Sequence, residues 1–208
     1  MHYHGGGGPA DYFGLFADRL TKRLESEGRI PVCAMSQGTS GDLHWMNYGN
    51  ANKGSNVSQY ADGLVELAAQ TLVGIRYQSS PPLAMDQKVI TLSRRLPNAE
   101  RLAWADKLLA NMKGRRPKNR PEVYAEQARF IDENPTEKLV LQTLRIGDLG
   151  ITTLPNEVYS ITGLKLKARS PFSATFNIEL ANGAAGYIPP PAQHELGGYT
   201  TWPARTAG

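Results

Sequence analysis

Side chains able to hold a metal, move a proton or attack a carbonyl are sparse in this chain, and they gather near the expected ends of strands. There are four histidines, His2, His4, His44 and His194. His2 and His4 are two apart, so an extended backbone places both imidazoles on one side, a spacing a metal can use. A frayed terminus accounts for the same residues more simply. MSQGTSGD, Met35 to Asp42, follows an expected strand and carries Ser36, Thr39, Ser40 and Asp42, with His44 just beyond. Loops at strand ends are where α/β proteins build their sites. The Gly38-Thr39-Ser40-Gly41 spacing is not that of a nucleophile elbow, and a tight Asx-type turn also explains the segment. LPNEVY places Glu157 after a strand and at an expected helix start, where the helix dipole favours a carboxylate. Asn182 and Tyr187 follow another strand end, so Glu157 and Tyr187 can converge.

The elements that must position these residues are read from periodicity. Phe13, Phe16, Leu20 and Leu24 recur at helical spacing within Asp11 to Glu27, and Gly28 is a natural stop. IPVCAM, Ile30 to Met35, reads as a short buried strand, and Ser36 to Asn52 as a long loop. Ser58 to Val73 predicts a helix with Tyr60, Leu64, Leu67 and Thr71 on one face. Gln87 to Arg94 alternates as a strand. Ala99 to Met112 and Glu122 to Ile131 predict two helices, separated by Pro117 and Pro121. Lys138 to Ile146 and Gly150 to Leu154 read as two strands turning at Gly147-Asp148. Asn156 to Ala168 predicts a helix entered through Pro155, and Ala174 to Leu180 a buried strand before a Gly/Pro-rich tail. Strands alternating with helices predict an α/β fold, a layered sheet with flanking helices and a site at strand ends.

Composition excludes several classes. The 208 residues are 40% hydrophobic and 20% charged, which is globular rather than disordered. No apolar run reaches the ~20 residues of a membrane-spanning helix, and Cys33 is the single cysteine, so no intrachain disulfide forms. The net charge of +4 is modest. Lys113, Arg115, Arg116, Lys118 and Arg120 cluster between two expected helices, as a patch for phosphate or anionic headgroups or simply as a solvated loop. No aromatics interleave with them, so nucleic-acid stacking is not supported. No Gly-rich dinucleotide or phosphate-loop fingerprint occurs.

HYHGGGGPADYFGLFA, AMSQGTSGD, LRIGDLGITTLPNEVYSITG and ELANGAAGYIPPPAQHELGGYTTW together resemble the neutral/alkaline, non-lysosomal ceramidase family. The agreement in motif order and spacing is best from Leu144 to Trp202. The resemblance implies that residues 1–208 are one partial catalytic domain, the second half of the family's N-terminal domain. It implies a zinc-dependent hydrolase that cleaves an N-acyl amide, converting a ceramide-like lipid to a sphingoid base and a fatty acid. Carried over to this chain, Glu157, Tyr187 and His2 match zinc ligands. Tyr199, twelve positions after Tyr187, matches a tyrosine that assists at the scissile amide. The resemblance further implies zinc as cofactor, a lipid or other N-acylated substrate met at a membrane surface, no nucleic acid, and an extracytoplasmic location.

Two departures stand against it. The family's first zinc histidine lies in an upstream His-x-His motif, ahead of where this chain begins, so the expectation is a piece of a longer protein with weak or no zinc affinity by itself. His44 follows Gly41-Asp42-Leu43 where the family has a serine. That makes His44 a second candidate, beside Tyr199, for protonating the departing amine. It also leaves open a catalytically inactive domain, or a hydrolase of a different amide or ester.

Overall fold

The computed structural model describes residues 10–44, 49 and 56–204. His2 and His4 lie outside the described residues. The chain divides into two compact units, residues 1–36 with 43–81, and residues 37–42 with 82–208.

The first unit is a helical hairpin. Helix α1, Asp11–Ser26, turns Phe16, Leu20 and Leu24 onto Val65 of helix α2, Val57–Leu72. Gly28, at φ 78°, takes the left-handed conformation that ends α1. The Asn56 side chain accepts the Gln59 N–H, and the Gln59 side chain accepts the Asn56 N–H, a capping box that starts α2. Arg19 donates to the Ser58 carbonyl at 2.8 Å and to Asp62 at 2.6 Å, which ties the two helices outside the core.

Two expectations change here. The inward face of α2 is Ala61, Leu64, Val65, Ala68 and Leu72, while Leu67 is exposed. Alanines let α1 approach closely, so packing selects a stripe that side-chain size alone does not mark. Ile30 to Met35 forms no strand: Ile30 is 101% and Val32 99% exposed, while Cys33 and Met35 pack on the hairpin core. A strand needs a ladder partner, and none of the described strands pairs with this run.

The second unit is a mixed sheet with helices. Its elements are β1 (Leu83–Ser93), α3 (Ala99–Met112), α4 (Arg120–Glu133), β2 (Thr136–Ile146) and β3 (Leu149–Leu154). They continue with β4 (Glu157–Val158), α5 (Ser160–Arg169), β5 (Ala174–Glu179), β6 (Tyr187–Ile188), α6 (Pro191–Leu196) and a 3-10 turn, Tyr199–Thr201. The larger sheet runs β1-β2-β3-β5, antiparallel except for the parallel β3–β5 pair, and β4 and β6 form a separate parallel pair. The β2–β3 turn is two residues, with Ile146 opposite Leu149 and Gly147 at φ 63°, the positive φ that a tight hairpin demands. The expected α/β class is therefore correct, as a mixed sheet flanked by helices.

Helices α3 and α4 form a hairpin of their own, closed on Ala105, Ala125 and Ala128 and covered by Trp104, Leu108 and Leu109. The basic segment between them is exposed, and within it Arg115 is paired with the first turn of α4. Both Arg115 terminal nitrogens donate to Glu122 at 2.7 Å, and the Lys118 N–H donates to the same carboxylate at 2.8 Å.

One helix start moves. Asn156 and Glu157 precede α5, which begins at Ser160, so the dipole argument for Glu157 at a helix N-terminus does not hold. Asp42 takes that place: it accepts the Ser160 N–H at 2.7 Å and the Ser160 hydroxyl at 3.0 Å.

The Arg115 hydrogen bonds, then those from the Lys118 amide and Asn119, hold the Glu122 carboxyl down from its ordinary 4.5 to about 2. A depressed folded-state pKa stabilises above the unfolded value and is lost as pH falls through the folded one. Wild-type stability should therefore fall between pH 4.5 and about 2, and Glu122→Gln should flatten that decline in urea midpoints measured against pH. Asn56→Ala should lower stability by about 1 kcal/mol at neutral pH, read from the urea transition of the helical signal.

Candidate active site

The geometry begins with backbone ladders. After β3 the chain bends at Pro155, and the segment joining β5 to β6 folds back along 154–157. Ala181 N–H donates to the Leu154 carbonyl at 3.0 Å, and Ala185 N–H to the Pro155 carbonyl at 2.7 Å. Glu157 N–H donates to the Gly186 carbonyl at 2.9 Å, and the buried Asn156 amide to the Ala185 carbonyl at 3.0 Å. Gly186 stands at φ 79°, which only glycine adopts without strain, and it delivers Tyr187 directly opposite Glu157. Two residues 30 apart in sequence thus become register partners in a two-strand ladder.

The third side chain arrives with the 3-10 turn. The Tyr159 hydroxyl, buried just after β4, shares a hydrogen bond with Thr200 at 2.6 Å, and Arg95 donates to the Thr201 carbonyl. This anchorage sets the Tyr199 ring edge-on to Tyr187, with centroids 5.4 Å apart. The Tyr199 hydroxyl donates to the Tyr187 hydroxyl at 3.4 Å. Burial first, then hydrogen bonds with Glu157 and Tyr199, push the Tyr187 phenol well above the ordinary tyrosine range.

Behind the cluster lies Glu179, at the end of β5 and only 4% exposed. One of its oxygens accepts the Val158 N–H and the Ser40 N–H, each at 3.0 Å, and the other accepts the Ser40 hydroxyl at 2.5 Å. Gly41 N–H donates to the Val158 carbonyl at 2.9 Å, and a Cβ on Gly41 would sit 2.5 Å from the Glu157 carbonyl oxygen. Thr39 is similarly close-fitted: a Cβ on Gly163 of α5 would meet its hydroxyl at 1.9 Å.

Of the residues singled out from sequence, Glu157, Tyr187 and Tyr199 come together. His44 is exposed and belongs to the first unit, and His2 lies outside the described residues. The polar side chains Thr39, Ser40 and Asp42 hold loop 37–42 against β4, β5 and α5 rather than presenting a nucleophile. Sequence reasoning passed over Glu179, Asn156 and Tyr159, which position the cluster. The signal for Glu179 was available: a carboxylate inside an apolar strand, ATFNIEL, needs donors. His194 lines a cavity of about 330 Å³ together with Tyr187, Asn156, Ile131, Leu139 and Leu92.

Among the described residues, no group of three or more His, Cys, Asp and Glu side chains is arranged to hold a metal. The cluster supplies one carboxylate and two phenols. Glu157 and Tyr187 are two oxygen donors of the kind a divalent cation takes, short of the four ligands of a zinc site. None of the described helices is long and apolar enough to cross a membrane.

No family profile matches the chain, and no curated protein matches it in sequence. Among solved structures its fold is similar to that of neutral ceramidase from Pseudomonas aeruginosa, with a TM-score of 0.55 over 90% of this chain at 13% identity. The likeness is one of fold, and the chain spans 36% of that protein's length.

Two outcomes follow. Glu179→Ala leaves the Ser40 and Val158 amides without an acceptor, a cost of roughly 1–3 kcal/mol for each buried group. Its thermal midpoint should fall well below that of Glu179→Gln, which keeps one acceptor oxygen; equal midpoints would contradict the role given to this carboxylate. A phenol whose pKa is raised by folding stabilises fully below its ordinary 10.0 and loses that contribution as pH climbs above it. Stability should therefore fall more steeply above pH 10 in wild type than in Tyr187→Phe, measured by urea midpoints.

Proposed function

We propose that this chain carries part of a metal-dependent amide hydrolase centre, with zinc held by Glu157, Tyr187 and His2. The observation behind the reading is the pairing of Glu157 with Tyr187 on the β4–β6 ladder and the approach of Tyr199 from the 3-10 turn, at positions the ceramidase resemblance marks. The two ligand oxygens suit a dication. Burial and the hydrogen bond with Glu157 disfavour the Tyr187 phenolate, and a bound dication would offset that by favouring an anionic ligand oxygen. When bound, zinc would polarise an amide carbonyl and lower the pKa of water to ~7.

The protein's own contributions are positional and protonic. Glu157 and Tyr187 are held in register by backbone hydrogen bonds, so neither needs to reorganise. Tyr199 is half exposed beside Tyr187, and its hydroxyl is placed to donate a proton to a departing amine. The substrate in this reading is an N-acylated lipid of the ceramide type, and the protein acts outside the cytoplasm at a lipid surface.

One observation favours a second reading, a member that keeps the fold without turnover: His44 stands where the ceramidase family has its serine. A single set of measurements separates the two. Zinc affinity is titrated and hydrolysis of a fluorescent N-acyl sphingosine followed for wild type, Glu157→Ala, Tyr187→Phe and Tyr199→Phe. The first reading expects zinc affinity to drop by at least about tenfold in Glu157→Ala and Tyr187→Phe. It expects Tyr199→Phe to keep zinc and lose about 10²–10⁴-fold in rate. Zinc binding that ignores Glu157 and Tyr187 sinks the metal centre, and zinc binding with no hydrolysis selects the second reading.

A further inference from the structure

Strand β1 forms one edge of the four-stranded sheet, and among the described residues no strand lies beyond it. It is long, and every residue from Leu83 to Ser93 except Ile90 is exposed. Leu83, Met85 and Val89 share one face and are 74%, 63% and 53% exposed. Long apolar edges are ordinarily shortened, bulged or covered.

The ladder shows which backbone groups face outward. At its two ends Gly147 N–H donates to the Pro82 carbonyl at 2.8 Å, and Arg94 N–H to the Pro135 carbonyl at 2.9 Å. Pairing in an antiparallel ladder alternates, so the even-numbered residues of β1 bond to β2 and the odd-numbered ones point their N–H and C=O away from it. Gln87 agrees: its N–H is taken by the neighbouring Asp86 carboxylate at 2.9 Å.

We propose that β1 pairs antiparallel with β1 of a second copy of this chain, about a two-fold axis through Gln87, joining two sheets into one. An axis on an outward-facing residue satisfies the hydrogen-bond parity, since Gln87, Met85 and Val89 all offer free-edge groups to the copy. The side chains then complement each other. Asp86 falls opposite Lys88 of the copy, and Lys88 opposite its Asp86, in the closer non-hydrogen-bonded pairs. Met85 falls opposite Val89, and Leu83 opposite Thr91. Axes on Asp86 or Lys88 would instead oppose like charges. Pairing exchanges the local Asp86–Gln87 contact for a backbone bond to the copy and an ion pair with its lysine, and the closed two-fold contact covers the edge on both chains.

The test is the mass of the 208-residue chain in solution by sedimentation, from micromolar to hundreds of micromolar. A mass of two chains is expected. Asp86→Lys and Lys88→Asp should each weaken association by at least about tenfold, because each sets two like-charge pairs across the axis. The double swap, which restores opposite charges, should recover the dimer and shows that the strand still folds. Gln87→Pro, which removes an outward N–H and leaves the β2 ladder intact, should also weaken it. A mass of one chain at every concentration overturns the proposal. So does a dimer indifferent to the single reversals, or growth beyond two chains.

Discussion

The oxygens of a buried carboxylate need hydrogen-bond donors, and meeting that demand at Glu179 organises the centre of the second unit. Its oxygens accept from β4 through Val158 and from loop 37–42 through Ser40, while its own amide donates to the Gln37 carbonyl. Two chain segments, β4 and loop 37–42, are thereby fixed to one strand end. The strand β4 is only two residues long and carries one side chain of the cluster, so its position depends on this anchor. A group 4% exposed has no water to take over a lost bond, so each donor matters to the arrangement.

The same economy places the other members. Loop 37–42 has the residue types of a reactive loop, yet its polar atoms are consumed in joining strands to α5: Ser40 by Glu179, Asp42 by Ser160. What emerges toward solvent is different chemistry, a carboxylate and two phenols brought together by a parallel two-residue ladder and a 3-10 turn. The ladder controls register and the turn controls the approach of the second ring. Close packing of Gly41 on the Glu157 carbonyl leaves little freedom to β4.

The fold likeness to a bacterial neutral ceramidase agrees with the motif resemblance in direction, and the two rest on different observations: one on backbone path, the other on short strings such as LPNEVY and NGAAGY. At 13% identity the backbone comparison carries no residue roles. The functional reading therefore rests on the Glu157–Tyr187–Tyr199 geometry. The β1 edge is a separate matter, governed by ladder parity and charge rather than by the cluster.

The sequence by itself determined the elements that are long and strongly periodic: α1 and α3, the β2–β3 hairpin turning at Gly147-Asp148, and the class of fold. Local propensity and punctuation suffice there, because helices and tight hairpins satisfy their backbone groups within a few residues. It also marked Glu157 and Tyr187 as emerging from strand ends. Only the tertiary structure decided that Ile30 to Met35 is not a strand, that α2 turns an alanine-rich face inward, and that α5 begins at Ser160 with Asp42 at its head. Each of these depends on a partner distant in sequence: a ladder, a facing helix, a carboxylate 118 residues upstream. The same holds for Glu179, which a linear reading leaves as one polar letter in an apolar strand, and which packing turns into the anchor of the site.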